Sequence, residues 1–119
     1  MCSSDLYIPT PPFTEHVSGH STFSAAAAAV FEAFTGSKKL DMSVTIEACS
    51  SLIQPNLPTK DVVLCWATFK EAADEAGMSR RYGGIHFENG DLEGRILGAK
   101  VGACVWQKIQ HYFNGVIEK

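Results

Sequence analysis

A chain of 119 residues that is 45% hydrophobic holds one domain, with enough apolar material for a core but little for an enzyme. Its formal net charge of −3 offers no basic footprint for nucleic acid. No window reaches the roughly 18 apolar residues of a membrane span, because the best run, 25–34, is alanine-based and carries Glu32.

Residues 1–7 lack the basic-then-apolar layout of a signal peptide and read as an atypical or artefactual start, with the domain proper at 8–119. Cys2, Cys49, Cys65 and Cys104 contain no Cys-x-x-Cys pair. Compartment is not legible from them, and Cys65 and Cys104 are expected as small core residues.

Pro11 and Pro12 lock φ and push the residues before them out of the helical region, so 7–17 is an extended lead-in. A first helix is predicted from Ser21 or Thr22 to Thr35, with Ser18, Ser21 and Thr22 as candidate caps and Gly36 as its stop. Its alanines keep it slim enough for tight packing. A solvated connection over 37–42 carries Lys38 and Lys39, and 43–58 reads as a short strand or a loop ended by Pro55 and Pro58.

A second helix is predicted over 60–76. Val62, Val63, Cys65, Trp66, Phe69, Ala72, Ala73 and Ala76 recur at intervals of three and four on one face, Lys70 and Asp74 form an i,i+4 pair opposite, and Gly77 breaks it. The last helix runs from Gly90 or Asp91 to Phe113 with Gly94, Gly98 and Gly102 on one stripe. Each such glycine costs roughly 1 kcal/mol relative to alanine, so a close neighbour is required. The alanine face of the first helix is the expected partner, giving an all-α bundle with His20 and His86 at one end.

Two stretches carry chemistry. In Ser18-Gly19-His20 a loop turns through glycine into a helix start, whose free N–H groups and positive dipole end seat an oxyanion. His20 beside that seat has a pKa suited to proton transfer. The second stretch is Ser79-Arg80-Arg81-Tyr82-Gly83-Gly84-Ile85-His86, followed by Asp91. Arginine offers a planar fork of donors to an oxyanion, and a carboxylate can accept from one histidine nitrogen and fix the tautomer.

Ser-Gly-His followed by Ser-Arg-x5-His with a nearby Asp resembles the superfamily of vanadium-dependent haloperoxidases and type 2 phosphatidic-acid phosphatases, over about residues 8–112. Pro11-Pro12-Phe13 is most similar to the haloperoxidase branch. The resemblance implies a helical bundle, the C-terminal half of that fold. It makes His86 the vanadate ligand, or the nucleophile of a phosphatase, with Asp91 as the acceptor behind it and Glu88 a weaker substitute. It makes His20 the general acid/base. Arg80, the Ser18 hydroxyl and the Gly19 N–H would hold the oxygens of vanadate or phosphate, and Phe13 would wall the halide pocket. Arg81 is expected to face solvent, and His16 and His111 to lie at the surface.

Three departures stand out. The family's His-x3-Asp has one extra residue here, Val17 replaces a proline, and no Lys-x6-Arg-Pro occurs. The last supplies two further cations in the family, so the chain is expected to be truncated at its N-terminus and to bind the oxyanion weakly on its own. The first functional reading is a haloperoxidase acting on hydrogen peroxide, halide and a small organic substrate. The alternatives are a soluble acid phosphatase and an inactive helical fragment. A homo-oligomer is expected from the family habit and from the apolar surface of a half-domain; the compartment, export included, is left open.

Overall fold

The structure, a computed structural model, describes residues 8–115; the unusual start at 1–7 lies outside them. Three helices and one hairpin follow in order: α1 (Gly19–Thr35), β1 (Lys39–Ile46), β2 (Val62–Thr68), α2 (Phe69–Tyr82) and α3 (Glu88–Phe113). The helices form the expected bundle. Among the described residues, no helix is long and apolar enough to cross a membrane.

Helix α1 starts two residues earlier than predicted. Ser18, extended at φ −62° and ψ 118°, is its N-cap and accepts from the Ser21 N–H, while Gly36 at φ +66° closes it in the left-handed conformation. The glycine stripe of α3 lies against α1 as expected. A Cβ on Gly94 would stand 2.9 Å from the Ser18 carbonyl, and one on Gly98 or Gly102 would collide with the Thr22 or Ala26 carbonyl.

The second helix differs from its prediction. Val62–Thr68 is a strand, paired antiparallel with β1 in the register Val44↔Leu64 and Met42↔Trp66. Lys39 to Met42, predicted as connection, belongs to β1. The run is rich in β-branched and aromatic residues, which fit a pleated surface, and its three-and-four spacing mimicked a helix. Thr68 then opens α2 with a capping box: its hydroxyl accepts from the Glu71 N–H, and the Glu71 carboxylate accepts from the Thr68 N–H. Lys70 and Asp74 pair on α2 as expected.

Gly77 does not stop α2, which continues to Tyr82. It is buried in mid-helix, where a Cβ would strike the Asp91 carboxylate and stand 2.8 Å from the Ser21 hydroxyl. It is a point of close approach rather than a terminator. Cys49, Cys65 and Cys104 are free and exposed, so the core placement of the latter two is corrected. Cys104 is off the glycine stripe, and Cys65 lies in the hairpin, outside the bundle contact.

The tightest point of the domain is polar. Ser18, Ser21 and Asp91 are fully buried, whereas the buried apolar side chains are the small Ala28 and Ala73. Most large apolar residues are exposed, Phe23 at 80% and Phe87 at 77% among them.

Candidate oxyanion site

The starts of α1 and α3 meet at one end of the bundle, tied by the Ser18 N–H donating to the Gly90 carbonyl at 3.0 Å. Between them opens a cleft of about 670 Å³, lined by Phe13, Thr14, Val17, Gly19, His20, Phe23, Ser24 and His86. The two histidines therefore share one cavity, although 66 positions separate them in the chain. The Phe13 ring stacks on His86 with centroids 6.0 Å apart and planes at 27°.

At the mouth of α1 the Gly19 and His20 N–H groups find no acceptor among the described residues, whereas those of Ser21 and Thr22 are taken by the Ser18 hydroxyl and carbonyl. Two donors at a positive helix end thus remain for an anion. His20 has its pKa lowered, first by burial, then by the charges of Arg80 and His86. Arg80 therefore acts on this end of the bundle, its Nε donating to the Ser79 hydroxyl at 3.0 Å.

Two expected roles are corrected. Asp91 does not reach His86. Its Oδ1 accepts from the Ser21 hydroxyl at 2.7 Å and from Arg95 Nε at 2.8 Å, and its Oδ2 accepts from Arg95 Nη2 at 2.6 Å. Asp91 sits instead at the junction of the three helices, beside Ser21 and Gly77, where Arg95 also reaches Asp74 at 3.1 Å. Burial pushes the Asp91 carboxyl up, but the hydrogen bonds from Arg95 and Ser21 and the charges of Arg95 and Arg81 outweigh it and hold the pKa below its ordinary value. The same contacts raise Arg95 further, against its own burial.

Ser18 is also turned away from the cleft. The single Ser21 hydroxyl proton goes to the Asp91 carboxylate, which is acceptor only, so the 2.9 Å contact between the two hydroxyls is met by the Ser18 proton. Fully buried and committed inward, the Ser18 hydroxyl caps α1 and has no donor left for an anion. Arg81 is half-buried and paired rather than free in solvent: it reaches Glu88 at 2.9 Å and approaches Asp91 at 3.7 Å. His16 and His111 are exposed.

Sequence reasoning missed Glu15. Its carboxylate accepts from the Phe87 N–H at 3.0 Å and stands 3.4 Å from His86 Nδ1. The signal was adjacency alone, a carboxylate within the Pro-Pro-Phe to Ser-Gly-His segment.

The site is thus a cleft at the paired helix starts of a helical bundle, lined by two imidazoles, with Arg80 close enough for its charge to act on His20. Residues 4–115 match the family model described as the VCPO second helical-bundle domain, and the chain belongs to that family. Among solved structures it is similar to an apo-type bacterial vanadium-dependent chloroperoxidase (TM-score 0.90, 23% identity, 95% of this chain and 25% of that one). The holo-type form matches with TM-score 0.85 over 90% of this chain and 23% of that one, also at 23% identity. A bacterial vanadium-dependent iodoperoxidase shares 35% identity over 87% of this chain and 23% of that one, with TM-score 0.64. The chain thus spans about a quarter of the length of these proteins. No curated protein matches it in sequence.

Proposed function

We propose that this chain is the vanadate-ligating part of a haloperoxidase that uses hydrogen peroxide to oxidise halide, with the domain at residues 8–119 working inside a longer protein. One observation carries the reading: His20 and His86 line a single cleft at the start of α1, beside Phe13 and within the field of Arg80.

The donor set fits vanadate. His86, 1% exposed at its side chain, borders the cleft, as a ring placed for a ligand would. Arg80 and the Gly19 and His20 N–H groups supply donors suited to oxyanion oxygens. In this reading His86 ligates vanadium and Arg80 and Gly19 hold its oxygens. Bound vanadate supplies Lewis-acid activation of peroxide at a constant oxidation state.

His20 does the proton work. Its lowered pKa keeps the ring neutral at neutral pH, so it can take a proton from incoming peroxide and return it to the departing oxygen. Phe13, Val17 and Phe23 make the cleft wall apolar, which strips water from a halide and suits a small organic acceptor better than a charged phosphate ester. That wall favours the haloperoxidase over the phosphatase reading.

The test is a pair of assays on the intact protein loaded with orthovanadate: peroxide-dependent bromide or chloride oxidation, and aryl-phosphate hydrolysis without vanadate. Halide oxidation lost in His86→Ala supports the proposal. Phosphate hydrolysis alone would replace it with the phosphatase, and silence in both would leave an inactive helical domain.

A further inference from the structure

Among the described residues, His86 Nδ1 is the one buried side-chain nitrogen or oxygen without a hydrogen bond. Burying such a group unpaired costs free energy, so it calls for a partner that the fold can bring into line. The nearest acidic atom is Glu15 Oε1 at 3.4 Å, close enough to pair but not aligned as a hydrogen bond.

Three independent features hold that carboxylate there. The same Oε1 accepts from the Phe87 N–H at 3.0 Å. Phe87 is the N-cap of α3 and has no side chain able to cap, so Glu15 serves that helix start from another segment and sits at its positive dipole end. Gly90 leaves the space: a Cβ there would collide with the Glu15 carboxylate. On either side of Glu15, Phe13 stacks on the His86 ring and Ser18 is pinned to Gly90. The segment is a strap across the start of α3, with its carboxylate beside one histidine nitrogen.

We propose that Glu15 is the positioning residue of His86. Its carboxylate holds the proton on Nδ1, fixes the ring plane together with Phe13, and leaves the Nε2 lone pair for the ligand of the cleft. The ligand role of His86 rests on the function proposed above; the tautomer and its dependence on Glu15 do not.

The experiment is long-range ¹H–¹⁵N correlation of the intact protein labelled with ¹⁵N-histidine, above neutral pH and without vanadate, with His86 assigned by its loss in His86→Gln. The wild-type ring is expected as the Nδ1–H tautomer. Glu15→Ala should shift the proton toward Nε2, and Glu15→Gln, which keeps an acceptor oxygen in place, should restore Nδ1–H. A residue that merely braced the strap would alter melting temperature without changing the tautomer. A wild-type proton on Nε2, or an unchanged Nδ1–H in Glu15→Ala, overturns the proposal; the wild-type spectrum suffices should the alanine variant fail to fold. Orthovanadate titration followed by ⁵¹V resonance then separates the two inferences. Glu15→Ala should weaken binding about 10–100-fold, the usual cost of losing an outer partner of a ligating histidine. Failure of the wild type to bind vanadate would end the haloperoxidase reading, while the tautomer still decides the role of Glu15.

Discussion

Asp91 shows how a single residue's surroundings set its role. With its carboxylate fully buried against Ser21 and Arg95, Asp91→Asn should cost about 1–3 kcal/mol, because the half-buried Arg95 loses its two-pronged partner and keeps Asp74 alone. Denaturant midpoints at neutral pH would measure it. The sign with pH follows from the lowered pKa: the stabilisation is present above the ordinary carboxylate range and is lost as pH falls through the folded value, so the variant should be less acid-sensitive than the wild type. His20 runs the other way in origin. Its folded pKa is also lowered, so the unfolded ring binds its proton first. Stability should fall as pH drops below the ordinary histidine value of about 6.5, then level once the folded ring protonates too. His20→Gln should remove that limb in denaturation curves taken from pH 8 to pH 5, and under the proposed function should lower kcat of the intact protein by about 10²–10⁴. The two histidines were legible because spacing and residue type name them. The bond of Asp91 with Ser21 and the contact of Glu15 with His86 were not, since both cross between segments far apart in sequence; Arg95, four residues beyond Asp91 on the same helix, was within reach of the i,i+4 rule.

Between α1 and α3, glycine sets the distance. An alanine at Gly98 gains roughly 1 kcal/mol of helix propensity, yet its methyl would press on the Thr22 carbonyl, a backbone atom unable to turn aside. Overpacking of that kind costs about 1–3 kcal/mol, so Gly98→Ala should be net destabilising in chemical denaturation, and a stabilised variant would show that the helices do not meet there. Thr68→Ala should cost about 1 kcal/mol through its capping box while leaving oxyanion binding unchanged, because it lies at the hairpin end of α2. The slim alanine helix, its glycine stop and the glycine ladder were all readable, since each has a local cause. The hairpin was not: seven residues of β2 satisfy a helical spacing as well as a buried strand, and only pairing with β1 decides between them. The Thr68-x-x-Glu71 box, which marks where the helix begins, was the signal available in the sequence.

At the scale of the whole molecule, charge and apolar surface point the same way. Arg81 is occupied by Glu88 and Asp91, and Arg95 by Asp91 and Asp74, which leaves Arg80 as the guanidinium whose field reaches His20. A highly charged oxyanion held by one such cation and two N–H groups is poorly compensated, because charge-assisted contacts supply much of the binding. The same domain exposes Phe23, Phe34, Phe87 and Leu97 at 80, 66, 77 and 44%, and exposed apolar area of that extent promotes association. The 119-residue chain taken alone should therefore show both deficits at once. Orthovanadate should bind it more weakly than it binds the intact protein, and light scattering should report mass rising with concentration. Phe34→Ser with Leu97→Lys should reduce that association without restoring vanadate affinity, since neither change adds a cation to the cleft. A monodisperse monomer with affinity equal to that of the intact protein would mean that the cleft needs nothing beyond these residues.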